Sequence, residues 1–226
     1  MKRTQKSLAG IPCDTVALGL IYKRQFRELA GLRRHICSLL PLRRAQKIFE
    51  PGCGTGLLAR ELMALSNASY TGMDICETIL PRGEAFLAGD AVRHPRAADL
   101  VVASFFFSCV ADPVAWLRRV KRRLFPGGLF ALFAEYDYEA TAIRPDSGFK
   151  NTLLSGIRAA GMHTGHAARL DRYFREAGFV KLYGGVAENT TREPDEKFLC
   201  MHVDRLPDPL PQIEWRIVWG IWRNRI

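Results

Sequence analysis

A short apolar strand that ends in glycines and runs directly into a helix restricts a chain more than any other local signal, and this sequence contains one. Lys47-Ile48-Phe49-Glu50 is followed by Glu50-Pro51-Gly52-Cys53-Gly54-Thr55-Gly56, and Leu57 to Leu65 then has helical spacing. Glycines at such a place let the backbone turn sharply and approach a ligand closely. The free N–H groups at the helix start favour a negative group. The details decide which ligand. The dinucleotide fingerprint would need glycine at position 57, where Leu57 stands, and the P-loop would need a lysine that this turn lacks. Pyrophosphate ligands are thus disfavoured at this turn, and the remaining pattern is acidic-x-Gly-x-Gly-x-Gly.

The surrounding texture alternates strand and helix. Tyr70 to Asp74, Ala85 to Asp90, Leu100 to Phe107 and Leu129 to Glu135 read as further strands, and Val114 to Phe125 as a helix stopped by Pro126-Gly127-Gly128. The strands are nearly continuous apolar runs, as expected of strands covered on both faces. An open, mostly parallel sheet with helices on both sides follows. Helical material is expected at 148–160 and 168–177, with Phe179 to Tyr183 and Phe198 to Val203 as two closing strands. The expected organisation is a basic arm and helical cap at 1–42, a main domain at 43–205, and a proline-linked, tryptophan-rich helix at 206–226. In that last segment Trp215, Val218, Trp219, Trp222 and Ile226 fall on one helical stripe.

Two acidic residues complete the picture. Asp74 ends the second strand, 18 residues after Gly56, where a carboxylate can accept both hydroxyls of a ribose. Asp90 ends the third, where it could accept an adenine amino hydrogen. All three features sit at the carboxyl ends of consecutive strands, where open α/β sheets bind ligands. The chain has 226 residues, 48% of them hydrophobic, and 33 basic against 23 acidic residues. That excludes intrinsic disorder, and no apolar stretch is long enough for a spanning helix. The basic start, Met1-Lys2-Arg3, has no long apolar run behind it, so a secretory signal is not expected. The six cysteines, 13, 37, 53, 76, 109 and 200, show none of the close pairs of zinc ribbons or dithiol redox sites. Reduced thiols, a cytoplasmic location and no metal site are the expectations. The net charge of +10 is compatible with an anionic partner.

Glu50-x-Gly52-x-Gly54-x-Gly56, Asp74 and Gly89-Asp90-Ala91 together resemble motifs I, II and III of class I S-adenosylmethionine-dependent methyltransferases, over roughly residues 15–205. The resemblance implies an α/β, Rossmann-like fold with a mostly parallel seven-stranded sheet, helices on both faces and an antiparallel C-terminal hairpin. It also implies S-adenosylmethionine as cofactor and S-adenosylhomocysteine as product. Glu50, Gly52, Cys53, Gly54 and Gly56 would hold the methionine end, and Asp74 the ribose. Ile75, Asp90 and Ala91 would contact the adenine, and Ser104 and Phe105 would line the floor. The stretch between Asp74 and Asp90 departs from the family, being short and broken by Pro81 and Gly83.

A sulfonium methyl is already activated, so alignment and exclusion of water suffice, and no obligatory catalytic residue is implied. Glu135, Tyr136, Asp137 and Tyr138 after the fifth strand, and His163 and His166 in the inserted segment, are the candidates for acid–base work. Tyr22 either closes over the cofactor or packs. The chain lacks the Asn/Asp-Pro-Pro-aromatic motif of amino-methylating nucleic-acid enzymes: Phe105-Phe106-Phe107 follows Ser104. Its one Pro-Cys pair, Pro12-Cys13, precedes motif I. No separate RNA-binding module is visible. The segment from Leu153 to Leu170 is similar to the small-molecule branch of the family, the quinone and metabolite methyltransferases. A small-molecule acceptor is therefore the expectation. Methylation of RNA or protein, and a non-catalytic cofactor-binding scaffold, stay as alternatives. Tryptophans with arginines over 214–226 leave open a peripheral membrane contact as well as packing on the domain or a partner subunit.

Overall fold

The computed structural model describes residues 15–146, 148–191 and 195–225. The basic arm, Cys13 and Ile226 lie outside them. In chain order the elements are α1 (Thr15–Glu28), α2 (Ala30–Leu39), β1 (Lys47–Pro51), α3 (Leu57–Leu65), β2 (Ser69–Asp74), β3 (Phe86–Ala88), β4 (Ala98–Ser104), α4 (Pro113–Arg123) and β5 (Leu124–Tyr136). They continue as β6 (Ala142–Arg144), α5 (Phe149–Ala159), α6 (Leu170–Glu176), β7 (Phe179–Thr191), α7 (Glu196–Cys200) and β8 (Gln212–Asn224).

The strands form one eight-stranded sheet in the order β3-β2-β1-β4-β5-β8, with β6 and β7 both paired to β8. From β3 to β5 every pairing is parallel, and the three pairings of β8 are antiparallel. β7 follows β8 along its whole length, from Phe179 opposite Asn224 to Thr191 opposite Ile213. β5 and then β6 share the other edge of β8, so β6 extends the line of β5. The sheet therefore has one strand more than expected, the addition being the three-residue β6.

Side chains alternate across a strand, and the two faces show it. Val101, Ala103, Phe130, Leu132 and Trp222 join Trp116, Leu117 and Val120 of α4 and Phe174 of α6 on one face. Leu100, Val102, Ala131, Phe133 and Ile221 join Ile36 of α2 and Leu58, Ala59 and Leu62 of α3 on the other. A third cluster, built from α5, α7 and the ends of β5 and β8, holds Tyr136, Tyr138, Leu153, Ile157, Leu199 and Trp215. Helices thus cover both faces, as the apolar strand runs require.

Two expectations fail. Residues 206–226 do not form a helix. Ile213, Trp215 and Ile217 are buried in strict alternation, and the β-branched and aromatic content suits a strand. Counting the tryptophans alone hid that two-residue period. With a strand in place of the helix and Trp215 and Trp222 buried in the sheet, the tryptophans do not form the helical stripe expected of this segment. Phe198 to Val203 is not a strand either. Asp195 caps a helix there, its side chain accepting from Phe198 N at 3.2 Å, and the strand partner of β7 is β8. Among the described residues no helix is long and apolar enough to cross a membrane.

Candidate active site at the sheet switch point

Going outward from β1, the chain visits β2 and β3 on one side and β4 and β5 on the other. The tips of β1 and β4 therefore border the crevice where the strand order reverses, the natural ligand position of an open α/β sheet. The glycine turn leaves β1 at this crevice. Gly52 and Gly54 have φ of 67° and 50°, a region that side chains other than glycine's rarely enter. A Cβ at Gly52 would lie 2.5 Å from the Phe106 ring, and one at Gly54 3.0 Å from the Tyr22 ring. Gly56 closes the turn as the residue before α3.

Asp74 braces the turn from β2. Its Oδ2 accepts from Gly54 N and its Oδ1 from Cys76 N, each at 2.9 Å. A carboxylate has about four lone-pair sites, so capacity for two hydroxyls remains. Desolvation raises its pKa, and the amide donors oppose that rise. Glu50 is buried at the end of β1, where the Tyr70 hydroxyl donates to its Oε2. Burial pushes its carboxyl up to about 8, with the nearby Asp74 charge adding to the effect. Cys53 is buried beside it and its thiol is also pushed up, chiefly by burial, so it is no ready nucleophile.

The cleft is narrow, with a volume of about 120 Å³. Tyr22, Gln25 and Leu29 of α1 and its exit, with Arg33 of α2, roof it. Glu50, Gly52, Cys53, Gly54 and Thr55 form one wall, and Ser104, Phe105, Phe133 and Ala134 the floor. Phe105 is held at a φ of 50°, costly for a bulky residue. Its N–H donates to Ala134 O at 2.7 Å, and its ring lies 4.5 Å from that of Tyr136.

Of the residues singled out from sequence, Glu50, Gly52, Cys53, Gly54, Ser104, Phe105 and Tyr22 line this cleft, and Asp74 reaches it through Gly54. Gly56, Ile75, Asp90 and Ala91 do not line it. Asp90 turns back on its own loop, accepting from Val92 N and Arg93 N and pairing with Arg93 at 3.2 Å. The carbonyl of Ala91 accepts from Trp116 Nε1 at 3.4 Å.

The acid–base candidates stand behind the floor. Glu135 is buried and accepts from Phe107 N and Ser108 N at 2.7 and 3.4 Å, so it holds the loop after β4. Burial raises its carboxyl to about 7 against those donors. Tyr136 accepts from Gln25 at 3.2 Å. Tyr138 is buried against Trp215, and Asp137 pairs with Arg216 at 3.4 Å. His166 is fastened by Tyr173 and by the Val110 carbonyl at 3.1 and 3.0 Å, with His163 stacked on it.

Sequence reasoning missed Thr55, Gln25 and Arg33. The Thr55 hydroxyl is buried with no hydrogen-bond partner among the described residues, and Thr55 lines the cleft. Arg33 is buried, pairs with Glu61 at 2.8 Å and lies over the Phe26 ring. An arginine on the apolar stripe of Leu29, Leu32 and Ile36 was the available signal.

The methyltransferase domain family matches residues 22–183, well over half of the chain. The chain belongs to that family. No curated protein matches it. Among solved structures, this methyltransferase resembles a Haloferax volcanii protein solved in complex with the Trm112 methyltransferase activator (TM-score 0.66, 16% identity, 93% of this chain and 96% of that one). It also resembles an S-adenosylmethionine dependent methyltransferase from Mesorhizobium loti (0.55, 21%, 84% and 96%) and a SAM-dependent methyltransferase from Methanosarcina mazei (0.57, 16%, 81% and 94%). At such identities the likeness is one of fold. The cofactor of this methyltransferase is S-adenosylmethionine, and the cleft suits it: a glycine cradle that a Cβ would fill, an orphaned Thr55 hydroxyl, and carboxyl groups at the tips of β1 and β2.

Proposed function

We propose that the methyltransferase acts on a small-molecule acceptor held over Phe105, beneath the roof formed by α1 and α2. The observation that carries this reading is the roof itself. Tyr22, Gln25 and Arg33 cover the glycine turn, which favours an acceptor small enough to enter whole over a base or side chain presented on a polymer. The methyl donor supplies a group already activated for direct displacement. In this reading Glu50, Thr55 and the turn amides hold its methionine end, and Asp74 orients the ribose.

The chain's remaining contribution is positioning and desolvation. Phe105, backed by the Tyr136 ring, fixes the acceptor's plane, and the roof excludes water. Alignment of this kind supplies about 7–11 kcal/mol of a barrier. Glu135 positions the floor loop through Phe107 and Ser108 and does not face the cleft.

The test is incubation of the purified chain with methyl-tritiated S-adenosylmethionine and fractionated cell extract. Label is expected in a dialysable product that separates chromatographically from S-adenosylmethionine and is absent when the chain is omitted. Label confined to the RNA or protein fraction overturns the acceptor assignment while leaving the cofactor assignment standing.

A further inference from the structure

A second concavity, of about 440 Å³, opens between α4 and the chain that links β3 to β4. Arg93, His94 and Arg96 line it from the link, and Arg119, Arg122 and Arg123 from α4. None of these residues lines the cleft under α1. The arginines at 119, 122 and 123 have the spacing that places side chains on one helix face. The residues lining the cavity include no carboxylate.

Arg93 is drawn toward Asp90, and Arg119 donates to the Val92 carbonyl at 3.2 Å. Arg96, Arg122 and Arg123 make no ion pair or side-chain hydrogen bond among the described residues. A helix C-terminus favours cations in its last turn, which accounts for Arg122 and Arg123. It does not account for Arg93 and Arg96, which come from a different element and converge on the same hollow. Unneutralised cations gathered in a concavity repel one another and focus a positive potential there. Guanidinium groups recognise phosphate oxygens with paired N–H bonds. The volume is that of a small-ligand site, and the arginines border it from two elements where a polymer would call for a track.

We propose that this hollow binds a compact ligand carrying adjacent phosphoryl groups, either free polyphosphate or the phosphate chain of a nucleotide, at a site separate from methyl transfer. The test is calorimetry at low ionic strength with pyrophosphate, ATP and orthophosphate. The wild-type chain is expected to bind pyrophosphate and ATP, and orthophosphate at least tenfold more weakly. ATP binding tighter than pyrophosphate identifies a nucleotide; equal binding identifies free polyphosphate.

The paired substitution Arg96→Glu and Arg122→Glu changes exposed side chains only. It is expected to weaken both probes by tenfold or more, with S-adenosylhomocysteine affinity held within twofold. Failure of both probes to bind, or unchanged binding by the variant, overturns the proposal. So does an RNA hairpin or an anionic phospholipid vesicle that binds through these arginines more tightly than either probe.

Discussion

Asp74 shows how much one carboxylate does in this molecule. It ties the glycine turn to β2 through Gly54 and the following loop through Cys76, and the proposed role adds a ribose. Asp74→Ala removes an acceptor from two amides and, on that reading, from two hydroxyls. Each lost partner costs about 1 kcal/mol or more. The expected outcome is a 10- to 100-fold rise in the dissociation constant for S-adenosylhomocysteine, measured by calorimetry. This residue was readable because its place depends on one strand and one turn. Thr55 and Arg33 were not. Their significance comes from α1 and α2 bordering the same cleft as the glycine turn after β1, a meeting of elements with no shared local pattern. The left-handed backbone at Phe105 was equally hidden, since it follows from the Phe105 N–H meeting Ala134 O across β5.

At the level of elements, the parallel half of the sheet was legible because its strands are buried on both faces and punctuated by glycine and proline. The antiparallel half was not, because a tryptophan spacing of three and four competes with an alternation carried by Ile213, Trp215 and Ile217. Tertiary pairing decides between them, and β8 has partners on both edges. Trp222 measures what that decision is worth. Its ring stacks on Phe174 at 3.8 Å and is nearly fully buried. Trp222→Ala is expected to destabilise the fold by about 3–5 kcal/mol, read from urea denaturation. Removing residues 206–226 strips β5 and β7 of their shared neighbour. The truncated chain is expected to be insoluble or unfolded by circular dichroism, in place of a folded domain that has merely shed an appendage.

For the whole molecule, the buried ionisable groups set a pH dependence. Glu50 and Glu135 have carboxyls raised to about 8 and about 7 from an ordinary 4.5. Between the ordinary and the raised values the folded chain binds more protons than the unfolded one, so stability falls as pH rises, and this fall levels off above about 8. His202 is lowered to about 4 from 6.5 by burial. Its contribution is present above 6.5 and disappears as pH falls toward 4. From pH 6.5 to 8 the carboxyl groups therefore dominate. The apo chain is expected to lose on the order of 2 kcal/mol over that window, seen as a falling melting temperature. The double variant Glu50→Gln and Glu135→Gln should flatten the slope. The position of β8 has a further consequence, for biosynthesis. The place between β5 and the edge strand β7 is filled by the segment translated after all the other strands. Until β8 has emerged from the ribosome, β5 and β7 stay unpaired along the edges they will share with it, and those open edges are what a chaperone or protease would meet first.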